Sequence, residues 1–170
     1  MRLHVVRDGA GTPPIVFIHG MGSSSATWAE CMAQLSGDHE VVAMDLLGHG
    51  ASPVPDEPAE YNRDRALTDI DEVLASLNAP AVLVGHSLGG IFALNLAIRH
   101  PDKCAAIVCI SSTARADAPS NHDKRLAQLH RAQSAGSCEP ISLEMKPVFG
   151  LTARSPLATS PVRQAERAGL

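Results

Sequence analysis

Ser87 stands where a nucleophile would. It lies in Gly85-His86-Ser87-Leu88-Gly89, directly after the apolar run Ala81 to Val84 and directly before the apolar segment Leu88 to Ile98. At a strand-to-helix turn of this kind the serine backbone is strained and Oγ is lifted out at the C-terminal end of the strand. Small residues at Gly85 and Gly89 let strand and helix approach closely. The helix N-terminus also presents unpaired N–H groups, first that of Leu88, to a developing negative charge. The plainer alternative is a glycine-rich turn whose serine caps the helix.

Acyl chemistry needs a second oxyanion donor, and a backbone N–H in a tightly folded glycine loop can supply it. His19-Gly20-Met21-Gly22 follows the apolar run Ile15 to Ile18, two elements before the serine turn. The Met21 N–H is the candidate, paired with that of Leu88. His19, Gly20 and His86 are expected to line the substrate. A third segment, Asp45-Leu46-Leu47-Gly48-His49-Gly50-Ala51-Ser52, follows another apolar run. Asp45 could pass for a catalytic acid. It precedes the nucleophile in the chain, however, and reads as a carboxylate that holds its loop by hydrogen bonds.

A serine hydroxyl is a weak nucleophile until a base takes its proton. His86 is beside Ser87 but on the wrong side of the turn, and His19 belongs to the oxyanion loop. The histidines after Ser112 are His122 and His130, in a polar stretch that also holds Asp117. A makeshift triad of Ser87, Asp117 and His122 or His130 is one reading. The other makes all three downstream residues solvated side chains.

The elements that must position these groups alternate. Leu3 to Val6 predicts a short strand, and Ile15 to Ile18, Glu40 to Met44, Ala81 to Val84 and Ala105 to Ile110 predict four buried ones. Trp28, Met32 and Leu35 share one helical face. Asn62 caps a helix with the apolar stripe Leu67, Ile70, Val73, Leu74 and Leu77. The segment Leu88 to Ile98 is apolar nearly all round and predicts a central helix, closed by Pro101. The fold class is therefore α/β: a mostly parallel sheet with helices on both faces. The rhythm stops after Ser112, and one further helix is expected around Asp123 to Gln133. Residues 1–112 form the core. Residues 113–170 form the start of a cap or an irregular tail, not an independent domain.

The bulk properties restrict the function. A chain of 170 residues with 45% hydrophobic residues can bury a core, and a net charge of −4 with 3% aromatics leaves no footprint for nucleic acid or an anionic membrane. "MRLHVVRDGAG" is no signal peptide and no run is long enough to span a bilayer, so a cytoplasmic location is expected. Cys31, Cys104, Cys109 and Cys138 form no CxxC pair and read as small hydrophobes, with Cys104 and Cys109 at or in a buried strand. The histidines lack metal-ligand spacing. No cofactor and no metal are expected.

Together "VFIHGMG", "MDLLGHGAS" and "VLVGHSLGG" resemble the α/β-hydrolase superfamily, in particular its branch of esterases, haloperoxidase-like enzymes and carbon–carbon bond hydrolases. The resemblance covers about Leu3 to Ser112. It implies a nucleophile at Ser87, oxyanion donors at Met21 and Leu88, and water attack on an acyl-enzyme formed from a small ester, thioester or activated carbonyl compound. In that family the acid and then the base follow the serine on later strand ends. Nothing after Ser112 reads as those strands. The C-terminal side of the fold is thus expected to be incomplete, the tail to come from truncation or a frame shift, and hydrolysis to be impaired. The alternative is a non-catalytic, vestigial or small-molecule-binding relative. An open apolar edge at Ala105 to Ile110 would favour self-association.

Overall fold

Four consecutive apolar residues can be buried in a strand only if both of its faces are covered. Ile15–Ile18 forms such a strand, β2, and all four residues are buried. Val41–Met44, β3, has the same pattern. The computed structural model describes residues 2–115 and 118–136. It divides into two units, Met1–Ala114 and Arg115–Leu170.

The first unit runs β1 (Val5–Asp8), β2, α1 (Ala29–Leu35), β3, α2 (Arg63–Ala75), β4 (Ala81–His86), α3 (Leu88–Arg99) and β5 (Cys104–Ile110). The strands form one sheet in the order β1-β3-β2-β4-β5. β1 pairs antiparallel with β3, and the other three pairings are parallel. Alternate residues of each strand face opposite layers. Val16, Ile18, Val42, Met44 and Leu83 pack against Leu67, Ile70 and Leu74 of α2 and Phe92, Ala93 and Leu96 of α3. Ile15, Phe17, Val41, Ala43 and Val84 pack on the other side against Trp28 and Met32. The sheet is mostly parallel with helices on both faces, as the sequence predicts.

Local signals place several boundaries. Asn62 Oδ1 accepts the Arg65 N–H at 2.9 Å and starts α2. Trp28 lies in a short 3₁₀ turn (Ser25–Trp28) that leads into α1. β1 lies two residues later than the expected strand at Leu3 to Val6, because pairing with Val41–Met44 sets its register.

β5 departs from expectation. None of its residues is buried, and Val108 and Ile110 are 44% and 39% exposed. It is the open apolar edge strand expected at Ala105 to Ile110, but of its side chains Cys104 and Ile107 alone pack against the core. Cys109 is accordingly exposed, as is Cys31, and Cys104 is half-buried; these are not the buried hydrophobes expected. Cys138 lies outside the described residues. α3 is central on one side only, burying Phe92, Ala93 and Leu96 while Ile98 is 81% exposed.

In the second unit the expected helix is α4 (Pro119–Ala135). Proline opens its first turn, and Gly136, in the left-handed region at φ 64°, closes it. Among the described residues no helix is long and apolar enough to cross a membrane.

Candidate active site

Ser87 is the hinge between β4 and α3. Its backbone sits at φ 50°, ψ −112°, a conformation that costs a non-glycine residue about 1–3 kcal/mol. Its side chain makes no capping hydrogen bond to the helix, which removes the helix-cap alternative. Main-chain contacts hold the strained residue in place. Ser87 N–H donates to Ile110 O at 2.9 Å, and Ser87 O accepts from Gly90 N–H at 3.1 Å and Ile91 N–H at 3.3 Å. Ser112 Oγ donates to the same carbonyl at 2.7 Å.

The glycines around the turn are there for contact. A Cβ on Gly89 would strike the main chain of Ile18 and His19, so the first turn of α3 rests directly on the end of β2. A Cβ on Gly85 would strike the main chain of Gly89 and stand 2.5 Å from Gly90 Cα. A Cβ on Gly90 would occupy the place of the Ser112 hydroxymethyl group.

β2 lies between β3 and β4, and the chain leaves β2 towards one face of the sheet and β4 towards the other. Such a switch point opens a crevice at the C-terminal strand ends. The loop His19 to Gly22 enters that crevice. A Cβ on Gly20 would lie 2.8 Å from His86 Nδ1 and 3.2 Å from Ser87 Cβ, so Gly20, His86 and Ser87 meet there. Met21 follows with its side chain 61% exposed. Leu88 opens α3, and no intrahelical carbonyl can take its N–H.

His19 is fully buried. Its Nδ1–H donates to Gly20 O at 2.7 Å, and its Nε2 accepts from Leu46 N–H at 2.9 Å. Both nitrogens are thus committed, in the neutral form with the proton on Nδ1. Burial pushes its pKa down to about 4, with nearby His49 and His86 acting the same way against the Gly20 hydrogen bond and Asp45. The His19 ring holds the loop's shape, and no polar atom of it is left for a substrate. His49 mirrors it. Its Nδ1–H donates to Leu47 O at 3.0 Å, its Nε2 accepts from Gly22 N–H at 3.1 Å, and the two rings stand 5.0 Å apart. Two imidazoles therefore tie the loop after β2 to the loop after β3.

Asp45 is buried and holds that second loop. Its carboxylate accepts from Ser25 N–H at 2.6 Å, Ala51 N–H at 2.9 Å and His4 Nδ1–H at 2.9 Å. Burial pushes its pKa up, but these donors outweigh burial and hold the carboxyl below its ordinary value. A Cβ on Gly50 would collide with the carboxylate. The sequence reading of Asp45 as a structural residue fits this geometry.

Gly20, His86 and Ser87 thus come together, with Met21 and Leu88 next to them in the chain. His122 and His130 are exposed on α4 in the second unit. Asp117 lies outside the described residues. Sequence reasoning missed His49, Gly90 and Ser112. The repeated glycine of "SLGG" was the available signal for Gly90 and the motif "MDLLGHGAS" for His49, while nothing local marked Ser112.

A family model described as alpha/beta hydrolase fold matches residues 13–135. The chain is 40% identical over 116 residues to 2-hydroxymuconate semialdehyde hydrolase of Pseudomonas sp. (strain CF600), covering 66% of this chain and 40% of that protein. It is 35% identical over 113 residues to pimeloyl-[acyl-carrier protein] methyl ester esterase of Neisseria meningitidis serogroup A, covering 66% of this chain and 34% of that protein. Among solved structures it resembles E-2-(acetamidomethylene)succinate hydrolase, with a TM-score of 0.60 and 35% identity over 65% of this chain and 41% of that one. The chain therefore spans about a third to two-fifths of the length of these relatives.

Proposed function

This chain belongs to the α/β-hydrolase fold family, and on that premise we propose that it carries the nucleophile and oxyanion half of a serine hydrolase site acting on a small ester, thioester or activated carbonyl compound. The observation that carries the proposal is the Ser87 backbone. A non-glycine residue is held at φ 50° by main-chain bonds while its hydroxyl caps nothing. Such strain is an argument for function when the surroundings over-determine it.

In this reading Ser87 Oγ attacks the substrate carbonyl carbon and forms a tetrahedral intermediate. Its oxyanion takes hydrogen bonds from the N–H groups of Met21 and Leu88. Collapse expels the alcohol or thiol, and water then releases the acid. The proton from Ser87 goes to a histidine. Gly20 and His86 border the substrate.

A second reading is a hydrolase-like protein that binds a small carboxylic compound without turning it over. It is favoured by one observation: among the described residues no base is hydrogen-bonded to Ser87 Oγ. A fluorophosphonate probe separates the two, because it labels activated serines. The hydrolase reading expects label confined to Ser87 and abolished in Ser87→Ala, with hydrolysis of p-nitrophenyl acetate above that variant. An oxyanion hole and binding site without a full triad still give roughly a thousandfold over water. No label, and hydrolysis equal to that of Ser87→Ala, refutes the hydrolase reading.

A further inference from the structure

The peptide between Ser87 and Leu88 is the part of the site on which catalysis by this fold would turn. Its carbonyl belongs to Ser87 and its N–H to Leu88. Peptide planarity makes the two groups point in opposite directions, so whatever fixes the carbonyl aims the N–H. Two of the three donors on that carbonyl, Gly90 N–H and Ile91 N–H, come from α3 itself. They move with the helix. The third, Ser112 Oγ at 2.7 Å, comes from outside it, two residues beyond the end of β5.

We infer that Ser112 is a positioning residue for the oxyanion donor: its hydroxyl locks the Ser87–Leu88 peptide so that the Leu88 N–H faces the place where substrate charge develops. Three features support this. The contact is made possible by Gly90, where any Cβ would displace the Ser112 side chain. It is paired with a second tie from the same strand end, Ile110 O to Ser87 N–H, so β5 grips the nucleophile's backbone on both sides. Ser111, just before it, is itself in the left-handed region at φ 48°, a conformation rare for a residue with a side chain and one that turns the chain immediately before Ser112.

The inference rests on the serine-hydrolase reading for its function, but not for its geometry. It is tested on the full chain with Ser112→Ala, Ser112→Thr and wild type, by two measurements. The first is the amide ¹H–¹⁵N cross-peak and hydrogen exchange of Leu88. The second is the rate of fluorophosphonate labelling at Ser87. Losing an oxyanion donor outright costs on the order of a hundredfold or more. Freeing the peptide without removing the donor is expected to slow labelling about tenfold. In Ser112→Ala the Leu88 cross-peak shifts and its exchange quickens, and Ser112→Thr, which keeps the hydroxyl, restores both peak and rate. A Leu88 cross-peak unmoved in Ser112→Ala, or labelling at the wild-type rate, overturns the inference. A general loss of folding would move cross-peaks throughout the sheet, and the threonine variant would then not restore Leu88 alone. If wild type takes no label, the hydrolase reading falls, and the Leu88 cross-peak still decides whether Ser112 orients the peptide.

Discussion

Mild acid should loosen this fold, and His19 is the reason. In the unfolded chain its imidazole titrates near 6.5; in the folded protein burial holds it near 4. Between those values the unfolded state binds a proton that the folded state does not. The contribution of neutral His19 is therefore complete above pH 6.5 and is lost as pH falls towards 4. Each pH unit of that interval corresponds to about 1.4 kcal/mol, so the loss is about 2 kcal/mol at pH 5 and about 3 kcal/mol at pH 4. Asp45, whose pKa is also depressed, adds stability that is lost only at lower pH, below the ordinary carboxylate value of 3.8. Urea unfolding from pH 7 to 4.5, followed by fluorescence of Trp28, the single tryptophan, gives the slope directly. His19→Asn is the control. Its amide keeps a donor for Gly20 O but does not titrate, so the slope should flatten while stability at pH 7 falls. Stability that is flat from pH 6.5 to 5 in wild type, or an unchanged slope in His19→Asn, refutes the reasoning.

Other outcomes follow from close contacts and exposed surface. Gly89→Ala would drive a methyl group into the main chain of β2 at Ile18 and His19; a loss of about 2–3 kcal/mol in urea unfolding is expected, and an unchanged midpoint would show that the contact can relax freely. β5 is an edge strand with Val108 and Ile110 exposed, so concentration-dependent self-association is expected in light scattering, with Val108→Lys suppressing it. A wild-type monomer at high concentration would refute that.

Much of the scaffold could be read directly. Continuous apolar runs marked β2 and β3 because both of their faces are covered. Asn62 announced α2 because its side chain needs only a neighbour three residues on. The turn at Ser87 was legible because glycine spacing, a preceding strand and a following helix coincide in one short segment. What escaped was decided by distant partners. β5 has the composition of a buried strand, but its burial depends on what lies beside it in the sheet. His19 reads as a substrate contact until Leu46 N–H, 27 residues away, is seen on Nε2. Ser112 is an unremarkable serine in sequence, and only the fold brings it to the carbonyl of Ser87, 25 residues earlier.

The paired imidazole ties have an evolutionary consequence. His19 and His49 grip the loops through main-chain atoms alone: Gly20 O, Leu46 N–H, Gly22 N–H and Leu47 O. The path of the backbone beside Ser87 therefore does not depend on which side chain Met21 carries, and that side chain points largely into solvent. Drift at Met21 can alter the surface beside Ser87 without moving the main-chain atoms there. Drift at either histidine cannot, because it removes one of the two ties between the loops. The design separates a constant, backbone-built part from a part free to vary.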